Sequence, residues 1–263
     1  LAEKPENPFR FLFFSRVIEQ SLPQIKGGGD FMTIRISKGY LLALAALMLV
    51  TGEIHEQVHI NVGYFLCGGY GERDFNAWAL AKDCALPEWK FLATAVGPVF
   101  SYLMMWTGAF LLLRSSSKDR RAPGFSLIFA PLPFARIFTA VMGGGDEKVV
   151  FLKIFENRLS VQSGKIAAAF FVAAVCLPPV LIAWSKLKNR FAWLYIAGFC
   201  VLPMVVLGFY VLTFLNSLLA AGFLSSAAIL GTPTLVLVHF LLAAAVLFFA
   251  RHRLSEIEGR NFG

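Results

Sequence analysis

Apolar residues in this chain fall in long, nearly unbroken runs, and not in the alternation of a half-buried strand or the stripe of an amphipathic helix. A helix needs about 20 mostly apolar residues to cross the hydrocarbon core of a bilayer. Six runs bounded by charges or turn residues approach or reach that length: Gly39 to His59, Phe91 to Leu113, Gly124 to Met142, Ile166 to Trp184, Phe191 to Phe214 and Thr232 to Ala250. The expected fold is all-α, a polytopic transmembrane helical bundle of about six helices. A further apolar stretch, Asn216 to Leu230, is short and opens on an Asn-Ser pair. It reads as a re-entrant or interfacial segment, with a seventh span as the alternative.

Composition supports a membrane solvent. Hydrophobic residues make up 57% of the 263 positions and charged residues only 15%, too apolar a balance for a soluble domain of this size. The net charge of +8 does not indicate nucleic acid, because no compact basic patch is interleaved with aromatics. The basic residues cluster instead at alternate ends of the runs: Arg35 and Lys38 before the first, Arg114, Lys118, Arg120 and Arg121 after the second, Lys186, Lys188 and Arg190 after the fourth, Arg251 and Arg253 after the sixth. Under the positive-inside rule both termini are expected in the cytoplasm, and a compact chain of this kind suits a bacterial cytoplasmic (inner) membrane. The third-to-fourth loop holds Lys and Arg as well and weakens the contrast.

Three regions follow. Residues 1–38 form an N-terminal cytoplasmic segment with a short amphipathic run around Phe9 to Ile18 and three glycines at 27–29, and Met32 is a candidate for the natural start. Residues 39–147 hold three spans and an extracytoplasmic loop over 60–90; residues 148–263 hold three further spans of unassigned role and a short cytoplasmic tail. No cleavable signal peptide is evident, since the first strongly apolar run leads into a polar motif and not a small-residue cleavage site. Cys67 and Cys84 lie in the outer loop, either as a disulfide or as two free thiols, while Cys176 and Cys200 sit in apolar segments as packing residues. The stretch from Cys67 to Trp78, rich in glycine and turn residues, reads as a turn-rich connection, with a loop that edges a substrate entrance as the alternative.

The sharpest chemical signal is His55-Glu56-Gln57-Val58-His59 at the end of the first run. On a helix, positions i and i+4 share a face, so two imidazoles there can hold one zinc ion with Glu56 beside it to act as a base. A shuffled chain of this composition would show the motif roughly 0.0025 times. Two histidines and a glutamate at the edge of a span are costly unless they serve something. A catalytic zinc takes three protein ligands, and the third is sought in Gly143-Gly144-Gly145-Asp146-Glu147, where glycines allow a tight turn and two carboxylates offer oxygen. Asp146 is favoured, with Glu147 as the alternative. His239, alone in the sixth run, reads as a packing histidine, and His252 belongs to a basic helix end. Arg136 lies inside an apolar run near Pro131 and Pro133 and needs a carboxylate or carbonyl partner; charge compensation is the first expectation, ligand orientation or oxyanion stabilisation the second.

In order along the chain, HEQVH on one span, a Gly97-Pro98 pair inside the next and an acidic residue beside glycine after the third make this sequence resemble the site-2 protease family of intramembrane zinc metalloproteases. The resemblance covers roughly Gly39 to Glu147. It implies Zn2+ held by His55, His59 and Asp146, Glu56 as catalytic base, Gly97 and Pro98 close to the site, and a membrane-anchored protein as substrate. The family's Asn-x-x-Pro and Leu-Asp-Gly signatures are absent in that form, since the acidic pair here follows the glycines, and the third ligand stays open between Asp146 and Glu147. Two other functions share these residues: a metal-dependent hydrolase acting on lipid, and a metal-binding, transporter-like protein.

Overall fold

The structure, a computed structural model, describes residues 31–115, 117–156 and 158–258. The amphipathic run at Phe9 to Ile18 and the glycines at 27–29 lie outside the described residues.

Helix α1 spans Lys38–Cys67. Ser37 caps its start by accepting the Tyr40 N–H at 3.0 Å, and Gly68 ends it in the left-handed region with its own N–H donated to the Tyr64 carbonyl at 2.7 Å. A two-stranded antiparallel hairpin follows, β1 (Tyr70–Arg73) and β2 (Trp78–Leu80), then a 3-10 turn at Pro87–Trp89 and α2 (Lys90–Arg114). Next come α3 (Lys118–Phe129), α4 (Pro133–Val141), α5 (Asp146–Ile154), α6 (Val161–Ser185) and α7 (Ala192–Gly208). A π-helical stretch (Phe209–Leu215) joins α7 to α8 (Asn216–Ala220), and α9 (Thr234–Ala250) passes into a 3-10 segment (Arg251–Ile257).

Among the described residues, six helical stretches are long and apolar enough to cross a membrane: Lys38–Cys67, Pro87–Arg114, Asp119–Val141, Val161–Ser185, Ala192–Ala220 and Thr234–Ile257. Leu42, Leu103, Phe110, Phe170, Leu202 and Phe249 lie exposed on the outside of the bundle, where lipid would cover them. The chain is an all-α integral membrane protein.

Four expectations change. The first helix does not stop at His59; the apolar run Ile60 to Cys67 carries it on until Gly68, so the histidine pair is embedded about two turns before the end. The third span is not continuous. Pro131 and Pro133 lack N–H donors, and the residue before a proline is pushed out of the helical region, so the helix breaks after Phe129 and Leu132 adopts φ 53°. The stretch from Asn216 to Ala220 continues the fifth span, and only the remainder of Asn216 to Leu230 leaves the helix. The Cys67 to Trp78 connection contains the hairpin, tied to the end of α1 by a Cys67–Cys84 disulfide.

Residues 148–258 are not appended to a finished core, because α6 packs on α2, α4 and α5 while α9 lies along α1. At the far end from the hairpin, residues 32–35 are gripped from two sides. Met32 donates to the Lys186 carbonyl at 2.9 Å and accepts from the Lys188 N–H at 3.0 Å, and Asn189 pairs with both backbone groups of Ile34. Arg35 donates its N–H to the Ile257 carbonyl at 2.7 Å. Met32, Ile34, Tyr40, Phe125, Phe129 and Ile257 form a buried cluster there, beside the buried pair Arg121–Glu258. Arg121, read as one of the loop charges, is thus an interior residue.

Candidate metal centre

His55 and His59 sit one turn apart on the buried side of α1, and α5 brings Asp146 to them from 91 positions away. The turn that permits this is Gly143-Gly144-Gly145, whose first and third glycines have φ 74° and 84°, values that side-chain-bearing residues resist. Three atoms converge: Nε2 of His55 and Nε2 of His59 are 3.1 Å apart, and Oδ2 of Asp146 lies 3.3 Å from the first and 3.4 Å from the second. Among the described residues these three form the cluster able to hold a metal ion. Tetrahedral coordination at about 2.0–2.1 Å places neighbouring ligand atoms about 3.3 Å apart, so the triangle has the size zinc requires.

The opposite edge of the His59 ring fixes the tautomer that a metal needs. Nδ1 of His59 lies 2.6 Å from the Ala93 carbonyl, which can only accept, and this leaves the Nε2 lone pair free to face the cluster. Nδ1 of His55 lies 2.8 Å from Nη2 of Arg136 and 3.0 Å from Oγ of Ser101, which also accepts from Nη2 of Arg136 at 3.1 Å. Gly97 is required by the same packing. A Cβ there would collide with Nε2 of His59 and stand 2.7 Å from Cε1 of His55. Pro98 is buried beside it in α2.

Of the two carboxylates considered as the third ligand, Glu147 turns the other way. Nη1 of Arg136 donates to its Oε1 at 2.8 Å, and the Tyr102 hydroxyl donates to the same oxygen at 2.5 Å. Arg136 is therefore charge-compensated while reaching Ser101, next to His55. Burial pushes the Asp146 carboxyl up, but the two imidazoles beside it outweigh burial and hold the group below the usual carboxylate range.

The outer side is covered by the hairpin. Trp78 stacks on His59 with ring centroids 5.3 Å apart, and Lys90 stands over the same indole at 5.5 Å. Arg73 reaches inward to grip both oxygens of Glu53, at 2.8 and 3.0 Å, and also meets Gln57 at 3.3 Å. Thr232, in the loop before α9, donates to Gln57 as well, at 3.2 Å. Trp78 and Arg73 were not singled out from sequence. The available signal was charge pairing across elements, an Arg in the outer loop and a Glu two residues before the motif.

On the inner side a cavity of about 490 Å³ opens against His55, Glu56, Ser101, Arg136 and Asp146. Glu56 has no hydrogen-bond partner among the described residues and borders this space, as a base must if it is to reach a water or a substrate. His239, read as a packing histidine, does pack against Phe75 and Tyr210, yet it borders the cavity too. His252 is exposed on the terminal 3-10 segment. Cys176 and Cys200 are free thiols, the first buried. No family model, curated protein or solved structure matches the chain.

Proposed function

We propose that this protein is a membrane-embedded zinc metalloprotease that hydrolyses peptide bonds in or near membrane segments. The observation that supports the reading best is the zinc-sized triangle of His55, His59 and Asp146, with the His59 tautomer set by the Ala93 carbonyl and Glu56 beside it at the wall of a cavity. Zinc held there would act as a Lewis acid and lower the pKa of a water from 15.7 to about 7.

The remaining steps belong to the chain. Glu56 takes a proton from the attacking water and returns it to the departing amine. Ser101 and the Ala93 carbonyl keep both imidazoles aimed, and Arg136 anchors Ser101 while offsetting the charge of Glu147. Trp78 and the disulfide-tied hairpin shield the ligands on the side away from the cavity. The basic helix ends favour an orientation with both termini in the cytoplasm of a bacterium and the hairpin outside.

Metal analysis of detergent-purified protein is expected to give about one zinc per chain, lost in His55→Ala and His59→Ala. Cleavage of a membrane-anchored reporter is expected to vanish in Glu56→Gln with zinc retained. Wild-type protein without metal, or turnover persisting in Glu56→Gln, would defeat the proposal.

A further inference from the structure

The cavity beside the metal centre has a wall that the three ligands and Glu56 do not account for. Met204, Leu207, Gly208, Val211 and Leu212 recur at the spacing of one helical face, and all five border the cavity from α7 and the π-helical turn after it. Opposite them α1 contributes Gly52, one turn before Glu56. Gly52 and Gly208 have ordinary helical backbone, and a Cβ at either would meet no atom within 4 Å. Neither glycine is there for a turn or a close helix approach. Each leaves room in an apolar space beside the reactive groups.

The polar lining tells a peptide from a hydrocarbon tail. His239 is half-buried in a span, held by the rings of Phe75 and Tyr210, and its ring nitrogens have no hydrogen-bond partner among the described residues. Asn76 borders the same cavity, its Oδ1 fixed by a 2.6 Å hydrogen bond from Asn216. A bare imidazole inside a membrane is costly unless a polar group meets it. A backbone amide of an extended substrate would supply that group, and an acyl chain would not.

We infer that the α7 wall, with Gly52 and Gly208, is a subsite for one bulky apolar side chain next to the scissile bond, with His239 bonding the substrate backbone. The inference rests on the peptidase reading of the metal centre. Selection at this subsite is steric: a side chain arriving from lipid gains little from burial alone, so the space left by the two glycines decides what enters.

The test uses the full chain carrying Glu56→Gln, zinc-loaded in detergent, so that binding is read without turnover. The probes are apolar peptides identical except for Ala, Leu or Phe at one position. Adding Gly208→Leu is expected to lower the Phe-over-Ala affinity ratio at least about tenfold, the scale on which pocket shape discriminates. Leu207→Ala, which enlarges the wall, is expected to raise that ratio. His239→Phe is expected to weaken all three peptides alike. Leu for Gly within a helix favours folding, so loss of structure would not mimic the effect. Ratios unmoved by both wall variants would overturn the inference, as would a fatty-acid probe that binds with Gly208-dependent affinity where the peptides do not. Turnover of the same peptides by the unsubstituted chain reads the underlying function separately. Shifted ratios without turnover would remove the peptidase, and with it the scissile bond beside the wall, while keeping a pocket for a peptide side chain; turnover with unmoved ratios would keep the peptidase and overturn the subsite.

Discussion

Replacing Gly97 with alanine adds a single methyl group where the two histidines of the proposed metal centre already stand. The new Cβ would overlap Nε2 of His59 and lie 2.7 Å from Cε1 of His55, well inside the 3.4 Å at which ordinary contact begins. Either α2 moves off α1 or the imidazoles rotate. Overpacking of this kind costs about 1–3 kcal/mol. Because the clash falls on ligand atoms, that cost is expected in metal affinity; at about 1.4 kcal/mol per factor of ten, zinc should bind roughly 5- to 150-fold more weakly. Rotation of His59 would also break its 2.6 Å bond to Ala93, which favours the upper end. The measurement is competition for zinc against a chromophoric chelator in detergent. A parallel melting curve separates the site from the fold, because Gly to Ala inside a helix otherwise stabilises by roughly 0.5–1 kcal/mol. Unchanged zinc affinity in Gly97→Ala would refute the view that the imidazoles need the space over this glycine.

Three further outcomes are expected. Asp146→Ala should reduce zinc affinity at least about 100-fold, while Glu147→Ala should still bind about one zinc per chain and lose about 3–5 kcal/mol of stability, because Arg136 is left as a buried charge without its partner; metal titration and melting of both variants check this. Arg73→Ala strands Glu53 in the same way and should cost about 3–5 kcal/mol, read as a lowered melting temperature that Arg73→Ala with Glu53→Gln partly restores. Reduction of the Cys67–Cys84 bridge should raise hydrogen exchange across Tyr70 to Leu80 and speed zinc release to a chelator, since the hairpin that stacks Trp78 on His59 loses its tether; identical release rates from reduced and oxidised protein would count against the hairpin as a cover.

What the sequence made legible was whatever depends on long, local regularities. The spans announce themselves by apolar length, because a bilayer admits few alternatives to a helix. The His55 and His59 pair is legible because four positions along a helix return to one face. The proposed ligand Asp146 was harder: its place depends on how three glycines turn the chain, and Glu147, one residue on, differs only in direction. The helix break at Leu132 was present in Pro131 and Pro133, but the apolar character of the run outweighed it. The hairpin was missed because its strands are very short and its purpose is tertiary. Arg73 and Trp78 make sense only once they stand over Glu53 and His59. The free walls at Gly52 and Gly208 carry no sequence signature, since a glycine that makes room looks like any other.

The grip on residues 32–37 bears on how the protein is made. Ser37 bonds Glu256 across 219 positions, Arg35 bonds Ile257, and Arg121 finds its carboxylate on Glu258, 137 positions later. These bonds join the first described residues and α3 to the last described ones, so this end of the bundle closes only once residues 256–258 are in place. Closure of the bundle is therefore a late event that follows insertion of the sixth span. A chain halted before that point lacks these bonds and is left open at the end away from the hairpin.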